Sequence, residues 1–188
     1  MSKKYICVTG GVILCALLAY GLLSYLFTPI YTDVSLSYPA ICCRDGAGFE
    51  PVTVTFEGQI KDVRATGSSR FIGELAVGSR TAVYEDVDTG LALDLIGQTR
   101  LPLVFSDEPA ASDATHLLQW GRLSFVVIEE MAAPPDGSDI LVSEAVIFAP
   151  ASSPEEALER LQPLISSEFS SASYLPLFLE EQISGKAK

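Results

Sequence analysis

Three acidic side chains, at positions 85, 86 and 88, are the nearest match to a metal-binding motif in this sequence. Glu85, Asp86 and Asp88 precede Gly90, and carboxylate oxygens are the ligands that Ca²⁺ prefers. The spacing departs from an EF-hand, because counting from Asp86 puts Gly90 at position five and Gly97, in place of a bidentate glutamate, at position twelve. A solvated hairpin turn is the alternative. The pattern leaves open a cation-dependent binding module that uses Glu85, Asp86 and Asp88.

Motifs for covalent or acid–base catalysis are sparse. The single histidine, His116, has no Gly-x-Ser-x-Gly elbow to accompany it, which argues against an α/β-hydrolase triad. A glycine-rich phosphate loop is absent from the sequence. The 24 acidic residues still allow a carboxylate pair suited to glycoside hydrolysis. An envelope hydrolase with paired carboxylates is therefore an alternative function, and no cofactor is predicted.

Two adjacent cysteines, Cys42 and Cys43, stand outside the N-terminal apolar run, and the sequence contains no Cys-x-x-Cys. The absence of that motif argues against a thioredoxin-type redox site and against a thiolate zinc site. Three states of the pair remain open: two free thiols, one intermolecular bond between protomers, or a vicinal disulfide.

The N-terminus carries the strongest signal for location. Residues 5–27 contain no charge, and Lys3 and Lys4 stand directly before them. At 1.5 Å per residue the run is roughly 34 Å long, enough to cross a hydrocarbon core of about 30 Å. A cleaved signal peptide would have an apolar region of about 7–15 residues and a small-x-small site. The run is longer than that, so it predicts an uncleaved transmembrane helix over 5–27, with residues 1–4 cytoplasmic and the remainder outside. A cleaved signal peptide is the alternative.

Small residues recur every four positions within this helix, at Cys7, Gly11, Cys15 and Ala19. Such a stripe lets two membrane helices approach closely. Self-association through these four residues is one hypothesis, and chance spacing is the other.

The charge distribution describes the outer part of the chain. All 24 acidic residues follow the apolar run, with ten of the twelve basic ones, for a net charge of −14. Such a surface repels nucleic acid and anionic lipid headgroups. Residues 28–48, with Pro29 and Pro39, are predicted to form a stalk, in which the alternation over 34–38 leaves open a short strand. Residues 49–188 are predicted to form a single outer domain.

Alternation of apolar and polar residues predicts that this domain is rich in β-strands. Strands over 52–60 and 70–77 form a hairpin, and each contains a Phe-x-Gly-x-aliphatic motif around Gly58 or Gly73. A glycine inside a strand indicates a bend or a close backbone approach. Further strands are predicted over 80–84, 91–95, 100–105, 116–120, 123–129 and 140–148. Their spacing favours a β-sandwich, a barrel or a large antiparallel meander.

The C-terminal region changes to helical patterns. Ser153, Pro154 and Glu156 form a capping box that begins a helix over 154–168, which Pro163 must kink or shorten. A second helix is predicted over 174–184. Both are expected to pack on the sheet, so the predicted fold class is a transmembrane helix plus a mainly-β domain with two C-terminal helices (α+β).

The N-terminal run followed by the two Phe-x-Gly-x-aliphatic strands resembles uncharacterised bacterial membrane-anchored extracytoplasmic β-rich proteins. That resemblance covers about the first 80 residues and implies location and β-architecture. The predicted function is a non-catalytic, membrane-anchored binding or structural module of the cell envelope. Its predicted partners are the lipid bilayer and a protein, or a second copy through the membrane helix, and nucleic acid is not among them.

Overall fold

The computed structural model describes residues 3–44, 48–85, 90–93, 101–106, 115–132, 142–165 and 174–184, with the side chains of 3–10, 132 and 142 outside the description. The elements in chain order are α1 (Lys3–Phe27), β1 (Ile30–Arg44), β2 (Gly48–Val63), β3 (Ser68–Val77), β4 (Arg80–Tyr84), β5 (Leu91–Ala92), β6 (Leu101–Pro102), β7 (Thr115–Trp120), β8 (Phe125–Ala132), β9 (Val142–Ala149), α2 (Pro154–Leu161), a 3₁₀ turn (Gln162–Leu164) and α3 (Leu175–Ile183).

The nine strands form one antiparallel sheet that curls into a half-barrel. Its order is β4-β3-β2-β1-β9-β8-β7-β6, and β5 pairs with β3. The segment after β6 returns to the opposite edge, where the Ser106 N–H donates to the Thr81 carbonyl at 2.8 Å. The prediction of a mainly-β domain with C-terminal helices is confirmed, and the half-barrel is the form that the antiparallel sheet takes.

The predicted stalk over 28–48 is wrong, because this segment contains β1. All fifteen residues of β1 pair with β2, from Ile30 opposite Asp62 to Arg44 opposite Gly48. Pro39 does not break the strand, because its carbonyl points away from β2 and accepts a hydrogen bond from Ala151 N–H, and a proline is tolerated where its missing N–H faces a strand edge. Only two residues, Thr28 and Pro29, therefore separate α1 from the half-barrel.

Two apolar clusters lie on opposite faces of the sheet. The concave face holds the larger one, centred on buried side chains such as Phe56, Phe71, Leu103 and Leu123. The convex face at β1, β9, β8 and β7 is covered by α2 and α3 through Ala157, Leu161, Leu175 and Leu179. Strand alternation divides the two sets.

The two Phe-x-Gly-x-aliphatic motifs meet each other across β2 and β3. Gly58 lies opposite Gly73, Phe56 opposite Leu75 and Ile60 opposite Phe71. The backbones approach so closely that a Cβ on Gly58 would lie 2.2 Å from the Ile72 carbonyl oxygen. The rings of Phe56 and Phe71 meet edge to face at 5.6 Å, a favourable aromatic geometry. The expectation of a close backbone approach at these glycines is confirmed.

The β7–β8 turn closes part of the concave face. Gly121, Arg122 and Leu123 have φ values of 58°, 56° and 73°, a conformation that costs non-glycine residues free energy. Leu123 is fully buried in the concave cluster, and Arg122 donates to both carboxylate oxygens of Asp62 at 2.7 and 2.6 Å. These two contacts hold the strained turn against β2.

Both C-terminal helices are confirmed, and their caps explain their bounds. The Ser153 hydroxyl accepts from Glu156 N–H at 3.2 Å, and the Glu156 carboxylate accepts from Ser152 N–H at 2.7 Å. The hydrogen bond from the Ser152 backbone N–H, followed by that from Arg160, lowers the pKa of Glu156. Pro163 stands in the 3₁₀ turn that follows α2, so the predicted helix is shortened at Leu161, and residues 166–168 lie outside the described residues.

Helix α1 is a single continuous helix of 25 residues. Its described side chains begin at Gly11, and each residue from there to Phe27 is exposed or half-buried, including Leu17 at 63% and Leu18 at 65%. Among the described residues, no helix combines the length and the apolar character needed to cross a membrane.

Replacing Gly58 tests the close approach of β2 and β3. Gly58→Ala is expected to lower the free energy of unfolding by about 3 kcal/mol, because the new Cβ meets backbone atoms that cannot move aside. Gly67→Ala is the matched control, since its Cβ meets nothing within 4 Å and only its φ of +66° is strained, at about 1 kcal/mol. Urea unfolding followed by Trp120 fluorescence measures the free energy of unfolding of both variants. Equal losses in the two variants would contradict a close backbone approach at Gly58.

The Asp62–Arg122 tie predicts a pH dependence of stability. Partial burial alone would raise the pKa of Asp62, but the Arg122 and Ser69 hydrogen bonds and the Arg122 charge outweigh it and lower that pKa. Because the folded pKa lies below the unfolded value of about 3.9, the stabilisation is present above that value and is lost as pH falls through the folded pKa.

Arg122→Gln is expected to reduce the loss of unfolding free energy at acidic pH. The reduction should be less than about 1 kcal/mol, because the ion pair is exposed. Asp62→Asn removes the titrating group and serves as the reference. Urea unfolding at a series of acidic pH values measures the effect. An unchanged pH profile in Arg122→Gln would show that the ion pair does not set the pKa of Asp62.

Candidate functional site

The longest open hydrogen-bonding edge in the described sheet belongs to β1. Its fifteen residues all pair with β2 on one side, but on the other side β9 pairs only with Ile41–Arg44. Because the Pro39 carbonyl points away from β2 to Ala151, and backbone groups alternate along a strand, the odd-numbered residues before it also point away from β2. These are Tyr31, Asp33, Ser35 and Ser37.

The two faces beside this edge differ in character. Val34, Leu36 and Tyr38 pack against the concave cluster, and burial raises the pKa of Tyr38. The opposite face carries Asp33, Ser35 and Ser37, all exposed. It is not covered there by α2 or α3, which contact β1 through Ile41 and Cys43. A strand added at this edge would therefore extend a sheet that is apolar on one face and polar on the other.

Three carboxylates lie on the polar face. Glu57 stands opposite Ser35 on one side and opposite Glu74 on the other. Asp33 accepts a hydrogen bond from the Gln59 amide at 2.8 Å. Like charges directly opposite each other destabilise a sheet, so the Glu57–Glu74 pair costs stability and favours a cationic neighbour.

A concavity of about 340 Å³ lies at the end of the half-barrel near the β1–β2 connection. Its charged lining residues are Arg44, Glu50, Arg80 and Glu130. Arg80 forms an ion pair with Glu130, and its guanidinium lies 4.2 Å from the centre of the Phe105 ring. The two arginines balance the two glutamates, so the lining gives no net charge that would select an ion.

A buried carboxylate lies beneath the C-terminal helices. Glu129 is fully buried, and the Tyr174 hydroxyl, directly before α3, donates to it. His116 stands opposite Glu129 across β7 and β8. Glu129 and Glu130 are neighbours whose side chains reach opposite faces, so they do not form a carboxylate pair. The contact between Glu129 and Tyr174 ties α3 to the sheet.

The cysteine pair is resolved by strand geometry. Cys42 and Cys43 are both free and buried, with Cys42 in the concave cluster and Cys43 in the convex one. Burial, with a smaller contribution from the neighbouring Cys42, raises the pKa of Cys43 to about 12. Of the three states left open by the sequence, the structure has two free thiols. Adjacent residues of a strand point to opposite faces, which argues against a vicinal disulfide, and burial of both side chains argues against a bond to a second chain.

The predicted metal and helix-association residues are only partly within the described chain. Glu85 is exposed at the end of β4, while Asp86 and Asp88 lie outside the described residues. The described ranges contain no cluster of three or more possible metal ligands. Gly11, Cys15 and Ala19 are exposed along α1, and the Cys7 side chain is outside the description. Both hypotheses stay predictions.

Comparison with known proteins adds no relatives. No protein-family model, curated protein or solved structure matches this chain. The resemblance based on the Phe-x-Gly-x-aliphatic strands therefore stays a prediction. A signal for the β1 strand was present, because Val34 to Tyr38 alternate between apolar and polar residues. The missing pairing with β9 is not visible in that pattern.

The burial of Cys43 predicts that its thiol reacts more slowly in the folded protein than in the unfolded one. Cys43 is expected to resist iodoacetamide in the folded protein at pH 8, because the thiolate is the reactive species and its pKa is about 12. Unfolding in urea should expose it to alkylation. Mass spectrometry of the peptide that contains both cysteines, with Cys42→Ser to remove ambiguity, measures the rate. Rapid modification in native conditions would show that the convex cluster does not cover Cys43.

Proposed function

We propose that the chain is a membrane-anchored, non-catalytic binding module that takes up an extended basic segment of a partner protein as an additional strand along β1. The observation that carries this proposal is the one-sided pairing of β1, in which β9 reaches only Ile41–Arg44. An unpaired edge offers a row of N–H and C=O groups. Strand addition uses those groups for affinity and alternate side chains for specificity.

The anchor is supported by the sequence of α1 together with its exposure. The uncharged run begins at Tyr5 in the sequence, and large apolar side chains such as Leu14, Leu17 and Leu18 stay exposed on the helix. A helix satisfies its own backbone hydrogen bonds and can expose such side chains to lipid. Lys3 and Lys4 favour a cytoplasmic N-terminus, which puts the half-barrel on the outer side.

The nature of the partner follows from charge and direction. Asp33 lies on β1 itself and favours lysine or arginine directly opposite it on the incoming strand. Glu57 on β2 and Glu74 on β3 add a longer-range attraction for the same cations. A second copy that paired antiparallel at β1 would direct its own α1 away from the first membrane. Two chains anchored in one bilayer cannot adopt that arrangement, so a separate polypeptide fits the edge better.

The test uses a synthetic peptide of alternating lysine and valine, labelled for fluorescence anisotropy, and the full chain in nanodiscs. The wild-type chain should bind it, and a peptide with glutamate in place of lysine should not. Ser35→Pro removes an edge N–H that the β2 ladder does not use, and it should weaken binding at least tenfold, about 1.4 kcal/mol. Ser35→Ala keeps that N–H and is the matched control.

A second variant keeps the experiment decisive if Ser35→Pro folds poorly. Asp33→Lys leaves the backbone intact and should weaken binding of the lysine peptide. The assignment to β1 is lost if Ser35→Pro and Ser35→Ala bind the lysine peptide equally well. It is also lost if the glutamate peptide binds the wild-type chain as tightly as the lysine peptide does.

A further inference from the structure

The β2–β3 turn holds the end of α1. Ala65 N–H donates to the Leu26 carbonyl at 3.0 Å, and the Arg64 guanidinium donates to the Tyr25 carbonyl at 3.2 Å. Carbonyls at a helix C-terminus have no partner within the helix and carry partial negative charge. These two contacts satisfy two of those carbonyls, so the turn lies at the same level as the last residues of α1.

Cationic side chains are concentrated at this end of the half-barrel. Arg64 stacks on the Tyr25 ring at 4.2 Å, and the Lys61 ammonium lies 6.0 Å from the centre of the Tyr31 ring. Residues 61–70 contain three basic residues and a single acidic one, Asp62, which Arg122 pairs with. The local charge is therefore opposite in sign to the charge of the whole outer domain.

Aromatic residues at the end of a membrane helix mark the headgroup level. Tyr25 and Tyr31 flank the end of α1, and the two cations lie against their rings. Arginine presents five N–H donors in a plane, and the bond to the Tyr25 carbonyl leaves others for a phosphate. The hydroxyls of Thr66 and Ser68 belong to the same turn and lie 2.7 Å apart.

We propose that Lys61, Arg64 and the β2–β3 turn form a contact surface for the phosphate groups of anionic lipids. The proposal rests on the membrane anchoring described under the proposed function. Whole-domain charge predicts repulsion from anionic headgroups, but the fold brings the positive segment to the membrane end and leaves Glu57 and Glu74 farther along the hairpin. The contact would set the height of the half-barrel above the bilayer.

The test compares amide hydrogen exchange of residues 64–67 in the full chain, in nanodiscs of phosphatidylcholine alone and of an equal mixture with phosphatidylglycerol. Phosphatidylglycerol should slow exchange roughly fivefold for each cation at the surface. High salt should remove the difference, because it screens exposed charges. Equal exchange in the two lipids at low salt would overturn the proposal.

Variants separate the surface from general electrostatics. Lys61→Gln should reduce the lipid-dependent difference without breaking the hydrogen bonds to α1, and Arg64→Gln should reduce it further. Arg160→Gln on α2 removes one positive charge from the other side of the domain and should leave the difference unchanged. If Arg160→Gln reduces it as much as Lys61→Gln does, the effect is not local and the proposal fails.

Failure of the anchor itself gives a different result. In that case alkaline carbonate would extract the full chain from vesicles of both compositions. That result would refute both the anchor and the lipid contact that depends on it. A chain that resists extraction in both lipids, yet shows no lipid-dependent protection, retains the anchor and refutes the headgroup contact alone.

Discussion

The close contact of Gly58 with Gly73 is the constraint on which the half-barrel depends. It pins the register of β2 against β3, because only this pairing puts glycine opposite glycine where the backbones approach. A slip of one residue would send Phe56 and Phe71 to the other face. The edge-to-face contact of those two rings adds a side-chain reason for the same register. Glycine pairs of this kind allow a sheet to curve.

The curvature of the sheet determines which elements contact each part of β1. The curled sheet brings the β7–β8 turn to Asp62 and the segment after β6 to Thr81, so the concave face is filled. On the convex face, α2 and α3 cover β1 only near Ile41 and Cys43. Within the described part of the chain, neither β9 nor a helix extends along the rest of β1, so its edge stays open there. The candidate binding surface thus exists because β9 and the C-terminal helices cover only one end of β1.

The same geometry separates charge along the domain. The β2–β3 turn contacts the end of α1, and Lys61 and Arg64 lie there with it. Glu57 and Glu74 lie farther along the hairpin. An overall negative domain thereby presents a positive end. Interactions at a surface depend on local charge within about 10 Å at ordinary salt, so the net charge of the chain does not describe this end.

Particular segments show why some predictions succeeded. The sequence predicts the α2 cap correctly, because Ser153, Pro154 and Glu156 lie within one helical turn and their interactions are local. The β2–β3 hairpin was predicted for the same reason, since its pairing partners are close in the chain. The stalk was wrong although β1 pairs along its whole length with β2, the next strand in the chain. The prolines and polar residues of that segment are typical of a linker, and the distant partner β9, which pairs with Ile41–Arg44, is not visible in the local pattern.

The sequence by itself determined the mainly-β architecture, both C-terminal helices and the close approach at the two glycines, because periodicity, caps and turns are local. Tertiary structure alone decided that β1 is open at its edge, that Cys42 and Cys43 point to opposite faces, and that the basic turn meets the end of α1. Each of these depends on which distant strands and helices come together, and that is set by how the whole chain buries its apolar surface.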